Sequence, residues 1–209
     1  MTNSDSAAAV TDSATTGKRE RLVAAARQMV HQQGVEKTTL ADIAQAADVP
    51  LGNVYYYFKT KNDIVRAVIE AHLAEADAML GAIDGAYPAP RERLKAVFSG
   101  LAEQSELIAQ YGCPRGSLCT ELDKRADGPE ITAELMRVPL DWAARQFQEM
   151  GRTDGRDLAI ELIARYQGTA LLANTFRDPG LMDREAVRFA QWIDSACPAG
   201  PVPSPPGAG

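Results

Sequence analysis

The sequence has few residues of the kinds on which metal centres and covalent catalysis depend. Its 209 residues include two histidines, three cysteines and 6% aromatic residues. His31 and His72 have no cysteine or carboxylate cluster at metal-ligand spacing, and no phosphate loop, dinucleotide fingerprint or nucleophile elbow is present. The sequence therefore predicts no metal, no cofactor and no catalytic residues.

Long apolar runs and an export signal are missing as well. No run of about 18 apolar residues occurs, and no basic segment followed by an apolar one stands at the N-terminus. Three cysteines are an odd number and do not suggest a disulfide framework in such a chain. We therefore expect no membrane partner, reduced thiols and a location in the cytoplasm.

Helical periodicity fills most of the chain, and no strand pattern or repeat stands out. Hydrophobic residues make up 45% and charged residues 24%, which fits one or two compact helical units. The predicted fold class is all-α. Predicted helices cover about 18–33, 39–47, 50–58, 61–83, 91–110, 116–128, 129–150, 154–176 and 181–196, with Pro139 bending or breaking the seventh.

The most specific pattern lies at residues 38–61. Thr39 stands three residues before Asp42, the spacing of a capping box at a helix start. Asp48 tolerates a left-handed turn, and Pro50 suits the first turn of a helix. The apolar residues between and after them recur at helical spacing. The pattern predicts a helix, a tight turn and a second, short helix that ends at Phe58.

The outer face of this second helix is polar, aromatic and almost uncharged. Gly52 weakens a helix, so its missing side chain suggests close approach of a nucleic-acid backbone or base edge. Asn53 can pair with the N6/N7 edge of adenine, and Lys61 at the next helix start suits phosphate. The predicted DNA-binding residues are Thr39, Pro50, Leu51, Gly52, Asn53, Tyr55, Tyr56, Tyr57 and Lys61.

The three consecutive tyrosines have two interpretations, since they could also be a half-buried packing surface. We expect the Tyr55 ring to rest partly on the core with its hydroxyl free for phosphate. We assign Tyr56 and Tyr57 to DNA rather than to packing.

Charge is distributed unevenly along the chain. The protein has a net charge of −6, yet segment 18–61 contains seven basic and four acidic residues. A positive head on a negative body is typical of a DNA-binding protein with a separate second domain.

Segment 38–61 resembles the DNA-binding head of the TetR family of transcriptional regulators. The resemblance rests on Thr39, Ile43, Ala44, Val49, Gly52, Tyr55, Phe58 and Lys61. Leu51 departs from the polar or basic residue often found there, which suggests apolar contact with a thymine methyl group. The family resemblance implies that Lys18, Arg19 and Arg21 reach toward phosphate; a solvated helix end is the alternative.

The resemblance also implies a domain organisation and a mode of action. We expect a disordered leader at 1–17, a three-helix helix-turn-helix head at 18–62, a larger helical ligand-binding and dimerisation body at 63–196 and a disordered tail at 197–209. The implied protein is a homodimeric repressor that binds a palindromic double-stranded DNA operator. A small organic effector bound in the body would release it, and the last two helices would form the dimer interface.

An apolar effector cavity in the body has only positional support. Its predicted lining, for which core packing is the alternative, is Phe98, Leu101, Leu122, Trp142, Phe147, Tyr166 and Asn174.

Residues 112–118 resemble those of a TetR-family subgroup that includes sensors of small organic or electrophilic compounds. Cys113 precedes a helix start and stands two residues before Arg115, both of which favour a thiolate. A redox- or electrophile-sensing regulator acting through Cys113, with Cys119, is therefore an alternative, although cysteine is often a small buried apolar residue. An enzyme with an accessory helix-turn-helix is a further alternative, for which no base and nucleophile pair is apparent.

Overall fold

The structure, a computed structural model, describes residues 5–124 and 128–196, with the backbone alone at 5–16 and 128–131. Every element in these ranges is helical, which confirms the predicted fold class. The predicted tail at 197–209 lies outside the described residues. The helices are α1 (Asp5–Lys37), α2 (Leu40–Ala46), α3 (Leu51–Tyr57), α4 (Lys61–Ala86), α5 (Pro90–Ala102), α6 (Ser105–Tyr111), α7 (Pro114–Leu122), α8 (Gly128–Glu149), α9 (Gly155–Phe176) and α10 (Gly180–Ala196).

The first helix begins earlier than predicted and stops where predicted. The sequence predicts a start near Lys18, whereas α1 begins at Asp5, because the added segment is rich in alanine, the strongest helix former. At the other end regular helix is interrupted at Gly34, which has φ 85° and ψ 165°. That conformation is essentially restricted to glycine, so Gly34 fixes the corner between α1 and α2.

Two of the later predictions need correction. The single helix predicted over 91–110 is two helices, α5 and α6, separated at Glu103 and Gln104. Ser99, Gly100 and Ser105 flank the break, and serine and glycine hold a helix weakly. Pro139 does not break its helix, since α8 continues through it.

The chain divides into two compact units that do not follow the predicted boundary at residues 62 and 63. The first unit comprises Met1–Ala76 and Pro114–Met136, and the second comprises Asp77–Cys113 and Arg137–Gly209. In the first unit, helices α1 to α3 pack around Leu22, Ile43, Val54 and Phe58. Leu118 and Leu122 of α7 and Leu135 of α8 belong to the same core. The first unit is therefore larger than a three-helix head.

The second unit has an aromatic core formed by α5, α8, α9 and α10. Phe98 and Phe189 lie with ring centroids 4.3 Å apart, and Phe147 meets Trp192 edge-on at 5.9 Å. Arg165 of α9 covers the rings of Phe189 and Trp192 and pairs with a carboxylate of α10. This packing fixes α9 against α10.

Stability in acid is expected to depend on His72, which is 7% exposed in the first unit. Burial, with Arg27, Arg115 and His31, lowers its pKa from 6.5 to about 4, and Glu75 at 3.9 Å does not reverse this. Because the folded pKa lies below the unfolded one, the unfolded chain binds more protons between these values. The free energy of unfolding is therefore unaffected above pH 6.5 and falls by up to about 3 kcal/mol as the pH approaches 4.

Thermal unfolding between pH 4 and 7 measures this dependence. We expect His72→Gln to flatten the loss of Tm below pH 6.5, while the matched change at the other histidine, His31→Gln, preserves it. Equal slopes for His72→Gln and the unaltered protein would contradict the assignment to His72.

Candidate nucleic-acid interface

The turn between α2 and α3 is fixed by the local chemistry that the sequence predicts. Thr39 Oγ1 accepts a hydrogen bond from Asp42 N at 3.1 Å, and Asp42 Oδ2 accepts one from Thr39 N at 3.2 Å, so the capping box is confirmed. Asp48 has φ 51°, the left-handed conformation that the turn requires. The Arg21 guanidinium lies 3.4 Å from the Asp48 carbonyl. The second helix of the motif is therefore held in one orientation.

Helix α3 is anchored by two buried apolar residues, and most of its other residues are exposed. Val54 is fully buried and Phe58 nearly so. Tyr56 is 72% exposed, and Leu51 and Tyr55 are also exposed. Pro50 and Gly52 are exposed too, and Asn53 is half-buried. Most of the predicted DNA-binding residues at 50–57 are therefore exposed, while Asn53 and Tyr57 are half-buried.

Two tyrosines exchange the packing roles that the sequence suggests. Tyr57, not Tyr55, packs against the core of the first unit, whereas Tyr55 is exposed by 48%. Tyr57 stands three residues after the buried Val54 and so returns to its face of the helix, while Tyr55 is turned away from it. Tyr56 and Tyr55 are therefore the two aromatic side chains of α3 most available to an outside partner.

Within the residues that the structure describes, no neighbouring atom explains why position 52 is a glycine. A Cβ atom built at this position meets no heavy atom within 4 Å. Glycine in a helix costs about 1 kcal/mol relative to alanine. The position is thus unfavourable for the helix and unexplained by packing, as expected where another molecule approaches the backbone closely.

The start of α4 carries the predicted lysine and a second capping box. Thr60 N donates to Asp63 Oδ2 at 2.8 Å, and Asp63 N donates to Thr60 Oγ1 at 3.2 Å. The Thr60 N–H and hydroxyl lower the pKa of the Asp63 carboxyl. Lys61 Nζ lies 2.9 Å from the Glu36 carbonyl, and Lys59 Nζ lies 2.7 Å from the Tyr55 carbonyl. Both ammonium groups are therefore held near the ends of α1 and α3.

Two of the basic residues at the start of the head, Arg19 and Arg21, make contacts within the first unit. The Arg19 guanidinium lies 5.6 Å from the Phe58 ring centroid and 4.0 Å from the Glu70 carboxylate. It therefore covers the end of α3 through a cation–π contact, while Arg21 holds the turn before it.

Six of the seven residues predicted to line an effector cavity lie in the second unit, and one does not. Phe98, Trp142, Phe147 and Tyr166 are buried in its core, with Leu101 packed against them. Leu122 belongs instead to the core of the first unit, because α7 packs there. Leu122 is therefore removed from the predicted lining.

Asn174 has a structural role that the sequence does not reveal. Its Nδ2 donates to the Ala109 carbonyl at 3.1 Å, and Arg177 Nη1 donates to the same carbonyl at 3.0 Å. Arg177 adopts a left-handed conformation after α9 and also contacts the Gln110 carbonyl. Donors at the last carbonyls of a helix stabilise its C-terminus, so the end of α9 caps α6.

The two candidate sensor thiols differ in accessibility. Cys113 is 5% exposed and its sulfur lies 3.6 Å from Gln167 Nε2. Cys119 is half-buried, with its sulfur 3.6 Å from the Thr132 carbonyl. Reactive cysteines are partly exposed, so the burial of Cys113 favours a packing role.

Helices α9 and α10 expose a group of large apolar side chains on the surface of the second unit. Leu171 and Phe176 are each 66% exposed. On α9 the exposed positions follow helical spacing and alternate with the buried Ala159, Ala170 and Ala173. We call this group the apolar face; its members are Ile160, Leu171, Leu172, Phe176 and Val187.

Metal-binding clusters and membrane-spanning helices are both missing from the described residues. Among the residues that the structure describes, no group of three or more His, Cys, Asp or Glu side chains could hold a metal ion. Over the same part of the chain, none of the helices has the length and apolar character needed to cross a membrane.

The helical turn, its exposed second helix and the all-helical body define a helix-turn-helix regulator, and comparisons with known proteins agree. The profile of bacterial regulatory proteins of the tetR family matches residues 22–68. The "Probable HTH-type transcriptional regulator ArpR" of Pseudomonas putida is 35% identical over 162 residues, which are 72% of this chain and 77% of that protein. The HTH-type transcriptional repressor DhaR of Mycobacterium sp. is 27% identical over 82% of this chain and 89% of its own.

Solved structures share the whole fold. A TetR-family transcriptional regulator from Streptomyces coelicolor superimposes with a TM-score of 0.76 at 19% identity, over 88% of this chain and 97% of its own. A TetR transcriptional regulator from Legionella pneumophila gives 0.75 at 20% identity, over 85% and 96%. The chain belongs to the TetR family of transcriptional regulators. It is a DNA-binding regulator of the helix-turn-helix class and not an enzyme.

Proposed function

We propose that this protein is a homodimeric repressor that inserts α3 of each subunit into the major groove of a palindromic operator and leaves it when a small organic effector binds. The observation that carries the proposal is the outer surface of α3. Its exposed tyrosines, Tyr55 and Tyr56, follow Gly52 by three and four residues, and the Cβ position of Gly52 is open. A groove wall or base edge can therefore reach the backbone of this helix.

The apolar face supports the homodimer. Leu171, Phe176 and their neighbours are too large and too exposed for an ordinary solvated helix surface. A second copy of the chain that presents the same face about a two-fold axis would cover them, since such interfaces are self-complementary. Two copies of α3 would then meet two half-sites, which explains why a palindrome is the expected operator.

The effector is proposed to act through linkage. A ligand that binds more tightly to a conformation whose two heads are wrongly spaced for the operator lowers the affinity for DNA. By linkage, bound DNA lowers the affinity for the ligand by the same factor. Coupling of roughly 1 to 3 kcal/mol corresponds to about 5- to 150-fold in affinity. The aromatic core of the second unit is the proposed site, with Phe98, Leu101, Trp142, Phe147 and Tyr166 as its apolar contacts and Asn174 at its edge. Because its proposed partner is operator DNA, we place the protein in the cytoplasm.

Two substitutions in the head are expected to weaken DNA binding in different ways. Asn53→Ala removes a base contact, so we expect a loss of about 1 to 3 kcal/mol and relaxed specificity at one base pair. Lys61→Ala removes a phosphate contact, so all duplexes weaken alike and the salt slope falls by about one. Titration of a duplex selected from a random pool, at several salt concentrations and with single-base variants, measures both.

A lysine of the second unit provides the control. Lys95→Ala removes the same charge from α5 in the second unit, where Lys95 pairs with Asp194, and should leave both affinity and salt slope unchanged. If Asn53→Ala and Lys61→Ala both titrate like the unaltered protein, α3 and the start of α4 do not face DNA.

A further inference from the structure

A carboxylate of α7 forms hydrogen bonds with the backbone of the corner between α1 and α2. Glu121 Oε2 accepts a hydrogen bond from Val35 N at 2.8 Å, and Oε1 accepts one from Glu36 N at 2.9 Å. Two consecutive N–H groups thus share one carboxylate 85 to 86 residues away in sequence. Hydrogen bonds to an ionised acceptor are roughly twice as strong as neutral ones.

The corner is shaped to receive this carboxylate. Gly34 has φ 85°, and a Cβ atom on it would lie 3.1 Å from Glu121 Oε2. The positive φ favours glycine there, and a Cβ at this position would force the Glu121 carboxylate to move by a few tenths of an ångström. On the opposite side of the corner, the Glu36 carbonyl accepts Lys61 Nζ at 2.9 Å. The peptide groups of Glu36 are thus held by α7 through the N–H and by α4 through the carbonyl.

A short chain of contacts links this corner to the candidate DNA-binding surface. Thr38 is buried, donates its hydroxyl to the Gly34 carbonyl at 2.7 Å and donates its N–H to the Val35 carbonyl at 3.2 Å. The next residue, Thr39, is the N-cap of α2. Any shift of Val35 and Glu36 is therefore passed to the first residue of the helix-turn-helix.

We propose that Glu121 is a positioning residue for DNA binding, whose carboxylate holds the α1–α2 corner, and with it the helix-turn-helix, in the orientation that binds DNA. This inference rests on the proposed function, because it assigns to α7 a part in the binding of an operator by α3. Leu118 and Leu122 anchor α7 in the same core as α2 and α3, so the acid is presented from a fixed helix.

The sign of the effect separates positioning from electrostatics. Glu121 is an anion in the unit that would approach an anionic duplex. Glu121→Gln removes that charge, and charge alone would therefore strengthen DNA binding. Loss of the corner's position would instead weaken DNA binding. The glutamine amide can accept a hydrogen bond from only one of the two backbone N–H groups, and its own NH₂ group would face the other. Glu36→Gln is the matched control, since it removes the same charge from the same corner and leaves the backbone contacts in place.

Exchange of the backbone amides and DNA titration test the proposal in the full-length dimer. We expect the Val35 and Glu36 amides of Glu121→Gln to exchange with solvent at least about tenfold faster, as read by NMR. Affinity for a duplex selected by the unaltered protein should fall about tenfold with the salt slope unchanged, because no phosphate contact is lost. Glu36→Gln should keep the protection of both amides and bind as tightly as the unaltered protein or more tightly.

The outcomes separate this inference from the function on which it rests. Unchanged amide protection in Glu121→Gln, or binding as tight as that of Glu36→Gln, would overturn the role of Glu121. If the unaltered protein selects no duplex, the proposed function fails instead, and the exchange rates still decide whether Glu121 holds the corner. Glu121→Asp, which keeps the charge on a shorter side chain, should behave like Glu121→Gln.

Discussion

Replacing Gly52 by alanine is expected to stabilise the protein and at the same time to weaken its binding to DNA. A Cβ at this position meets nothing within 4 Å, and alanine is favoured over glycine in a helix by about 1 kcal/mol. In the proposed complex the added methyl group would occupy the space between the backbone of α3 and the groove. We expect a loss of affinity of about tenfold, or ~1.4 kcal/mol, and a larger loss for Gly52→Leu.

The measurement pairs thermal unfolding with titration of a selected duplex. Gly81→Ala is the matched control, since Gly81 lies within α4 and its Cβ position is equally open. It should raise Tm as Gly52→Ala does and leave DNA affinity unchanged. If the Gly52→Ala protein binds DNA as tightly as the Gly81→Ala protein does, DNA does not fill the open space at residue 52.

Introducing an acid into the apolar face is expected to abolish the proposed dimer and, with it, tight DNA binding. Leu171 is 66% exposed on α9, and in a two-fold interface the substitution occurs twice. Burying unpaired carboxylates costs several kcal/mol, so Leu171→Asp should shift the protein to monomers at micromolar concentration. A single head then binds one half-site, and we expect operator affinity to fall by about a hundredfold or more, ~2.7 kcal/mol.

Sedimentation of the free protein, followed by DNA titration, separates assembly from folding. Leu107→Asp on α6 is the matched control because Leu107 is exposed to a similar degree outside the apolar face. It should sediment as the dimer does. A dimeric Leu171→Asp protein would place the interface elsewhere, and an unchanged helical circular dichroism spectrum would confirm that the variant folds.

The parts of the head that sequence predicts are those fixed by neighbouring residues. The capping box of Thr39 with Asp42 and the left-handed Asp48 involve atoms a few residues apart. The capping side chain and the helix start that it caps are neighbours in the sequence, so the pattern is visible without the fold. For the same reason Gly34 was identifiable as the end of regular helix in α1.

What sequence does not predict depends on contacts between distant segments. The exchange of packing roles between Tyr55 and Tyr57 follows from which face Val54 and Phe58 bury. Asn174 caps α6 from 65 residues away, and Glu121 holds a corner more than 80 residues earlier. An asparagine or a glutamate on a helix gives no sign of such a partner, and polar residues on helices are usually solvated.

The assignment of Leu122 shows the same limit in the body. Its apolar character and helical position match those of Phe98 and Trp142. Only the fold reveals that α7 belongs to the first unit. The break between α5 and α6 is also missed, because the apolar spacing continues across it while the residues that weaken the helix are spread over several positions.

The most direct test asks whether two copies of α3 enter the grooves of one duplex. The unaltered protein selects DNA from a random duplex pool, and the mass of the resulting complex is then measured. We expect enrichment of an inverted repeat whose half-sites lie about 10 base pairs apart, or a multiple of that, and an even number of subunits on each duplex. A single subunit on the duplex, or no enrichment over random competitor at moderate salt, would contradict it.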